Sequence, residues 1–255
     1  MRILVTNDDG ITAPGLSVAE QIAAEIAGPD GEVWVVAPES ERSGASHAIT
    51  YVSGLRFSQV GERRFAVEGF PADCALVGLH KVLKETPPDL VISGVNRGHN
   101  VAEDVVYSGT VGAAMEGGLA GVKSIALSQF YSKDSPGDLF SASKAHGVDA
   151  VRKVMQMPFA EKSFYNVNFP AVSGDEVKGM MVCPQGLRAE ATFDVIEYQA
   201  PNGRDFQFLR HATRNQSATE GSDARMCLEG WIAVTPLRPQ MTARDLLEGA
   251  RAALG

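Results

Sequence analysis

Positive charge is scarce in this chain: 23 Lys and Arg stand against 31 Asp and Glu, a formal net charge of −8. A general nucleic-acid binder needs a basic face to neutralise phosphates, so that class is excluded. No apolar run approaches the roughly 18 residues that span a bilayer, and no membrane is expected as a partner. Only three cysteines occur (Cys74, Cys183, Cys227), far apart and with no C-x-x-C pair. A disulfide framework and a thiolate zinc site are both ruled against. Met1–Val5 runs straight into a strand pattern rather than a signal peptide, and the expected location is the cytoplasm. No G-x-G-x-x-G follows the first strand and no G-x-x-x-x-G-K-[ST] occurs, which argues against dinucleotide and P-loop sites.

What is present is the balance of a folded α/β protein: 255 residues, 44% of them hydrophobic. Short apolar runs at Ile3–Thr6, Glu32–Ala37, Asp89–Ser93 and Ser124–Ser128 read as buried strands. Between them, Val18–Ala27, Asp73–Glu85, Thr110–Leu119 and Ser141–Met155 carry helical spacing, the second ended by Pro87-Pro88. Continuous apolar strands separated by helices predict a Rossmann-like, doubly wound, mostly parallel sheet covered on both faces. Phe164–Phe169, Met180–Cys183 and Trp231–Thr235 read as further strands. Thr192–Tyr198 and Asp205–Leu209 flank Asn202-Gly203, a β-hairpin signal. Residues 212–222 are polar and expected to be mobile, and Thr242-x-x-Asp245 resembles a capping box opening a C-terminal helix. The chain reads as a single domain: a core at about 1–185 and 228–240, a hairpin extension at about 188–222 and a helix at about 242–254.

The strongest chemical feature is Thr6-Asn7-Asp8-Asp9-Gly10, at the end of the first strand. Ligands of open parallel sheets bind outside the carboxyl ends of strands. Adjacent carboxylates repel unless a cation lies between them, and hard oxygen ligands suit Mg²⁺ or Mn²⁺. The same residues also make a good polar turn, so two readings stand for this segment alone. The loops after the second and third strands add Ser43, a hydroxyl, and Asn96, an amide oxygen. All three loops emerge on one sheet edge. A fourth, Tyr107-Ser108-Gly109-Thr110-Val111-Gly112, opens a helix whose free N–H groups and hydroxyls suit an anion; alternatively Ser108 or Thr110 simply caps it. Arg42 and Arg97 flank these loops, as phosphate contacts or as solvated side chains. Of the five histidines, which show no H-x-H or H-E-x-x-H spacing, His47 and His99 lie close enough to be candidates for assisting a leaving group.

These segments also carry a family likeness. MRILVTNDDGITAPGL, VVAPESERSGASHAIT, GFPADCALVGL, PDLVISGVNRGHN, VVYSGTVGAAMEG and WIAVTPL resemble, in order, the motifs of the SurE family. Its members are survival-protein-E nucleotidases, metal-dependent phosphatases of nucleoside monophosphates. The likeness covers about the first 130 residues and resumes near Asn166-Val167-Asn168 and at the end. It implies one divalent cation per subunit, held at Asp8, Asp9, Ser43 and Asn96, and phosphate contacts at Ser108-Gly109-Thr110. It also implies a hairpin exchanged between subunits of a homodimer or homotetramer. The stretch from Leu187 to Asp223 departs from the family pattern, although Asp223 falls where the family has an acidic residue.

The expected activity is hydrolysis of nucleoside 5′-monophosphates, with 3′-monophosphates and short polyphosphate as further candidate substrates. Asp8, Asp9 and Ser108 are the candidate catalytic residues; Asn96, Ser108, Gly109 and Thr110 are the candidate substrate contacts. A phosphatase forming an aspartyl-phosphate needs D-x-D-x-T at the first strand's end, and Asn7-Asp8-Asp9-Gly10-Ile11 lacks both the first carboxylate and the threonine. A non-catalytic nucleotide sensor would use the same pocket and is the standing alternative.

Overall fold

The computed structural model describes residues 1–131, 137–188, 193–211 and 218–254. Strand β1 (Arg2–Thr6) shows why its sequence is apolar throughout. Ile3 and Val5 pack into one cluster with Leu16, Ile22, Ile92 and Val167, whereas Leu4 faces the opposite way, into Val36, Phe65, Leu79 and Val91. A strand buried on both faces cannot alternate apolar with polar residues.

The remaining elements are α1 (Pro14–Ala27), β2 (Glu32–Pro38), β3 (Phe57–Gly61), β4 (Arg64–Val67), α2 (Pro71–Val77), β5 (Leu90–Arg97), α3 (Asp104–Tyr107), α4 (Gly109–Leu119) and β6 (Lys123–Gln129). They continue as α5 (Ser141–Met155), β7 (Phe164–Phe169), β8 (Met180–Val182), β9 (Phe193–Gln199), β10 (Asp205–His211), α6 (Asp223–Leu228), β11 (Ile232–Leu237) and α7 (Leu247–Leu254). Nine strands form one sheet in the order β3-β4-β2-β1-β5-β6-β7-β11-β8. The run from β4 to β7 is parallel, while β3 and β11 pair antiparallel with β4 and β7. Helices α1 and α5 cover one face; α2 and α4 cover the other. The expected doubly wound α/β architecture is therefore present. A separate antiparallel ribbon, β9–β10, pairs Phe206 with Tyr198 and Phe208 with Ile196 around the Asn202-Gly203 turn.

Two expectations need correction. The helix expected over Asp73–Glu85 stops being α-helical at Val77 and becomes a π-helical turn over Gly78–Val82. Gly78 weakens the helix there and lets it approach β1 closely; a Cβ would meet the Leu4 side chain at 2.7 Å. The Thr242 capping box does not form: the C-terminal turn begins at Arg244, one residue late, so the cap position falls on Ala243, which has no side-chain acceptor. The polar stretch at 212–222 is described only from Ala218; Ala218 bridges to Arg188, and Ser222 caps α6, accepting from the Arg225 N–H. Residue 192 of the first hairpin run also lies outside the described residues. The β3–β4 edge pair had no signal in the sequence, because β3 is exposed throughout and carries no buried alternation.

Candidate metal and phosphate site

The chain leaves β1 toward β2 on one side, and β5 pairs with β1 on the other. The crevice of an open α/β sheet lies at that switch point, and Asp8, Asp9 and Asn96 all emerge there. The Asn7 side-chain amide donates to the Gly10 carbonyl at 2.9 Å and closes the turn. Gly10 has φ 103°, and a Cβ there would sit 3.2 Å from the Ser40 carbonyl carbon. Glycine is required for both reasons. The Arg42 N–H then donates to the Asp8 carbonyl at 2.8 Å, drawing the Ser43 loop over the site.

Asp8 is buried, and the start of α4 holds it by both oxygens. The Thr110 hydroxyl donates to Oδ1 at 2.6 Å and the Thr110 N–H to Oδ2 at 3.3 Å. Burial, and then the charge of Asp9, push its pKa from 3.8 up to about 7, against the pull of the Thr110 bonds. Thr110 thus donates its N–H and its hydroxyl proton to Asp8, a role the sequence did not suggest. Ser108 caps α4, its Oγ accepting the Val111 N–H at 3.1 Å. Capping uses a lone pair, so the hydroxyl proton remains to be donated.

Asp9 accepts the Arg97 N–H at 3.0 Å. Burial raises its pKa; the Arg97 N–H pulls it down, and the Glu41 charge adds a further upward push. Asn96 follows an irregularity in β5, where the register with β6 shifts between Ser93 and Asn96. Gly94, at φ 133°, lies so close to Leu127 that a Cβ would meet its carbonyl oxygen at 2.2 Å. Bulges of this kind re-aim a side chain. The Asn96 amide nitrogen donates to the Gly98 carbonyl at 3.0 Å, leaving its oxygen as the atom to offer a ligand. Ser43 is exposed and donates to Glu41 Oε1 at 2.9 Å, which leaves its lone pairs available.

The donor set, two carboxylates with an amide oxygen and a hydroxyl, consists wholly of hard oxygens and fits Mg²⁺ or Mn²⁺. The upward push on Asp8 agrees with that fit, since a nearby cation would reverse it. Glu41, Arg42, Ser43, Ala45 and Phe70 line a cavity of about 500 Å³ beside the set. Arg42 lies 5.8 Å above the Phe70 ring. Ser108 borders a second cavity of about 470 Å³ together with His47, Met115 and Arg238. His47 is held there by Glu116 at 2.5 Å. His99 has its ring 4.3 Å from that of Phe130 and its Nε2 3.6 Å from Asp104 and 3.4 Å from Arg188. Sequence reading also missed the ion cluster of Glu103, Asp104 and Arg188; a lone arginine in the stretch that departs from the family pattern gave no signal.

A sequence model of the family described as "Survival protein SurE" matches residues 3–192, a span containing Asp8, Asp9, Ser43, Asn96, Ser108 and Thr110. The chain is 50% identical over 253 residues to "5'-nucleotidase SurE" of Roseobacter denitrificans, covering 97% of each. It is 48% identical over 260 residues to the protein of that name from Ruegeria pomeroyi, with both chains fully covered. Among solved structures, the SurE protein from Aquifex aeolicus matches with TM-score 0.84 and 34% identity, again over 100% of both chains. On the fold, the edge-of-sheet carboxylates and these likenesses, the chain belongs to the SurE family.

Proposed function

We propose that this chain is a metal-dependent phosphomonoesterase that hydrolyses nucleoside 5′-monophosphates to nucleoside and phosphate. The carrying observation is Asp8, buried beside Asp9 at the switch point and pinned by the helix start that also bears Ser108. The names of the full-length relatives support the same activity. In this reading Asp8, Asp9, Ser43 and Asn96 hold one divalent cation per subunit, Mg²⁺ or Mn²⁺. When bound, that cation supplies Lewis acidity toward the phosphate and lowers the pKa of a water molecule. Asp8, fixed at both oxygens, keeps one direction. Asp9, tethered at Oδ2, is the freer carboxylate and takes the proton of the attacking water. Ser108 donates its hydroxyl proton to a phosphate oxygen whose charge grows as the ester bond breaks, and the Gly109–Thr110 turn shapes that contact.

A homodimer or homotetramer is part of the proposal, on a single domain whose hairpin reaches out. The β9–β10 ribbon leaves Val195, Phe208 and Leu209 exposed at 63%, 54% and 75%, and an isolated two-stranded ribbon is marginal in water. No helix among the described residues is long and apolar enough to cross a membrane. The cytoplasm remains the proposed location. Phosphate release from AMP and GMP with Mn²⁺ tests the activity. Turnover should vanish with EDTA and return with metal; full turnover in metal-stripped protein would refute the mechanism, and nucleotide binding with no release would favour a sensor.

A further inference from the structure

The loop that carries Ser108 has weak support of its own. Helix α3 is a single turn of four residues, too short to hold itself, and it runs directly into the Ser108 cap. Ser46 donates to the Val106 and Tyr107 carbonyls at 2.7 and 2.9 Å, and the other anchors come from the segment that leads into the hairpin. Arg188 has a side chain only 2% exposed. Its guanidinium forks onto Asp104, with Nη1 donating to Oδ1 at 3.0 Å and Nη2 to Oδ2 at 2.7 Å. Nη1 also donates to Glu103 Oε2 at 3.2 Å, while the Arg188 N–H donates to Glu103 Oε1 at 2.6 Å. Gln185 donates to the Ala102 carbonyl at 2.8 Å, and Asp223 accepts both the Ala102 and Gly186 N–H groups. At the other end of α3, the Tyr107 ring meets Phe193, the first residue of β9, edge-on at 5.1 Å.

We propose that Arg188 is a positioning residue for the phosphate loop: by fixing Glu103 and Asp104 it sets where Ser108 and Thr110 stand, and through Thr110 where Asp8 points. This rests on the phosphomonoesterase reading for its catalytic consequence, but not for its structural one. A planar fork on a buried carboxylate fixes orientation as well as distance, which a lysine cannot do. Arg188 and Phe193 thereby tie the phosphate loop to the two ends of the segment that leads into the hairpin, so docking of the hairpin on a second copy bears on the catalytic groups.

The test uses the full-length protein with Arg188→Met, Asp104→Asn, the double variant, and Arg188→Lys as the variant least disturbing to folding. Amide hydrogen exchange is followed at 104–112 and at 2–6, alongside kcat and KM for AMP at saturating Mn²⁺. Exchange at 104–112 should quicken at least tenfold in Arg188→Met and less in Arg188→Lys, with 2–6 unchanged. kcat should fall at least tenfold with KM within about threefold, and excess Mn²⁺ should not restore it. The double variant should be no worse than the poorer single one, because both break the same link. Unchanged exchange at 104–112, equal quickening at 2–6, or losses that multiply in the double variant would each overturn the proposal. Should the wild-type protein release no phosphate, the enzymatic reading fails, and the exchange data still decide the positioning role.

Discussion

The pKa of Asp8 makes the metal-free protein's stability fall as pH rises, and the size of the effect follows from its burial. In the unfolded chain the carboxyl titrates near 3.8; in the folded chain burial and Asp9 move it to about 7. Between those values the native state keeps a proton that the unfolded state has released, so stability is lost with rising pH, by about 1.4 kcal/mol per pH unit. The total across the window is about 4 kcal/mol, and Asp8 is buried deeply enough that solvent screening takes little from it. From pH 6 to pH 8 the loss is about 1.4 kcal/mol, or roughly 3–5 °C in Tm for a chain of this size.

Asp8→Asn isolates the contribution of this one carboxyl. Asparagine removes the charge and keeps an oxygen for the Thr110 hydroxyl, but sets an NH₂ against the Thr110 N–H. That lost bond costs about 1.5–3 kcal/mol. Set against the 4 kcal/mol, the variant should be about 1–2.5 kcal/mol more stable than wild type at pH 8 without metal, and less stable at pH 5. Scanning calorimetry in EDTA from pH 5 to 8.5 reads both curves. Saturating Mn²⁺ should flatten the wild-type curve near neutral pH, because a cation selects the deprotonated carboxylate. Parallel curves for the two proteins without metal would refute the reasoning.

The sequence was most legible where one physical constraint dominates. Strands buried on both faces must be apolar throughout, so β1, β2, β5 and β6 stood out, and their alternation with helices implied the parallel sheet. Asp8, Asp9 and Asn96 could be placed because loops after parallel strands share an edge whatever their details. Less legible was anything decided by contacts between distant segments. Thr110 read as a phosphate contact because a helix start suits any anion; folding brings Asp8 to that start, 102 residues away. Arg188 lies 84 residues from Asp104 with no motif around it. The β3 edge strand and the late C-terminal turn escaped for a different reason, since exposed segments carry little periodicity to read.

Further measurements test the division of labour within the site. Asn96→Ala and Ser43→Ala should weaken Mn²⁺ binding and recover part of their turnover in excess metal, whereas Ser108→Ala should lose about a hundredfold, on the order of 3 kcal/mol, and stay lost; the reverse pattern in a metal titration would exchange the two assignments. Light scattering at micromolar concentration should give a mass of at least twice 27.1 kDa, and a clean monomer would leave the exposed face of β9–β10 unexplained. Gly109→Ala probes how closely α4 approaches β1. A Cβ there would lie 2.8 Å from Pro71 Cγ and 3.1 Å from Asp8 Cβ, so the helix start, Asp8 or both must shift. Overpacking of that kind costs about 1–3 kcal/mol, and because one of the two obstacles is Asp8 itself, Mn²⁺ affinity should fall along with Tm. Gly54, with nothing within 4 Å of its Cβ position, supplies the control, and Gly54→Ala should change neither quantity. If Gly109→Ala matched that control in both, the close contact between the helix start and Asp8 could not be what holds the carboxylate in place.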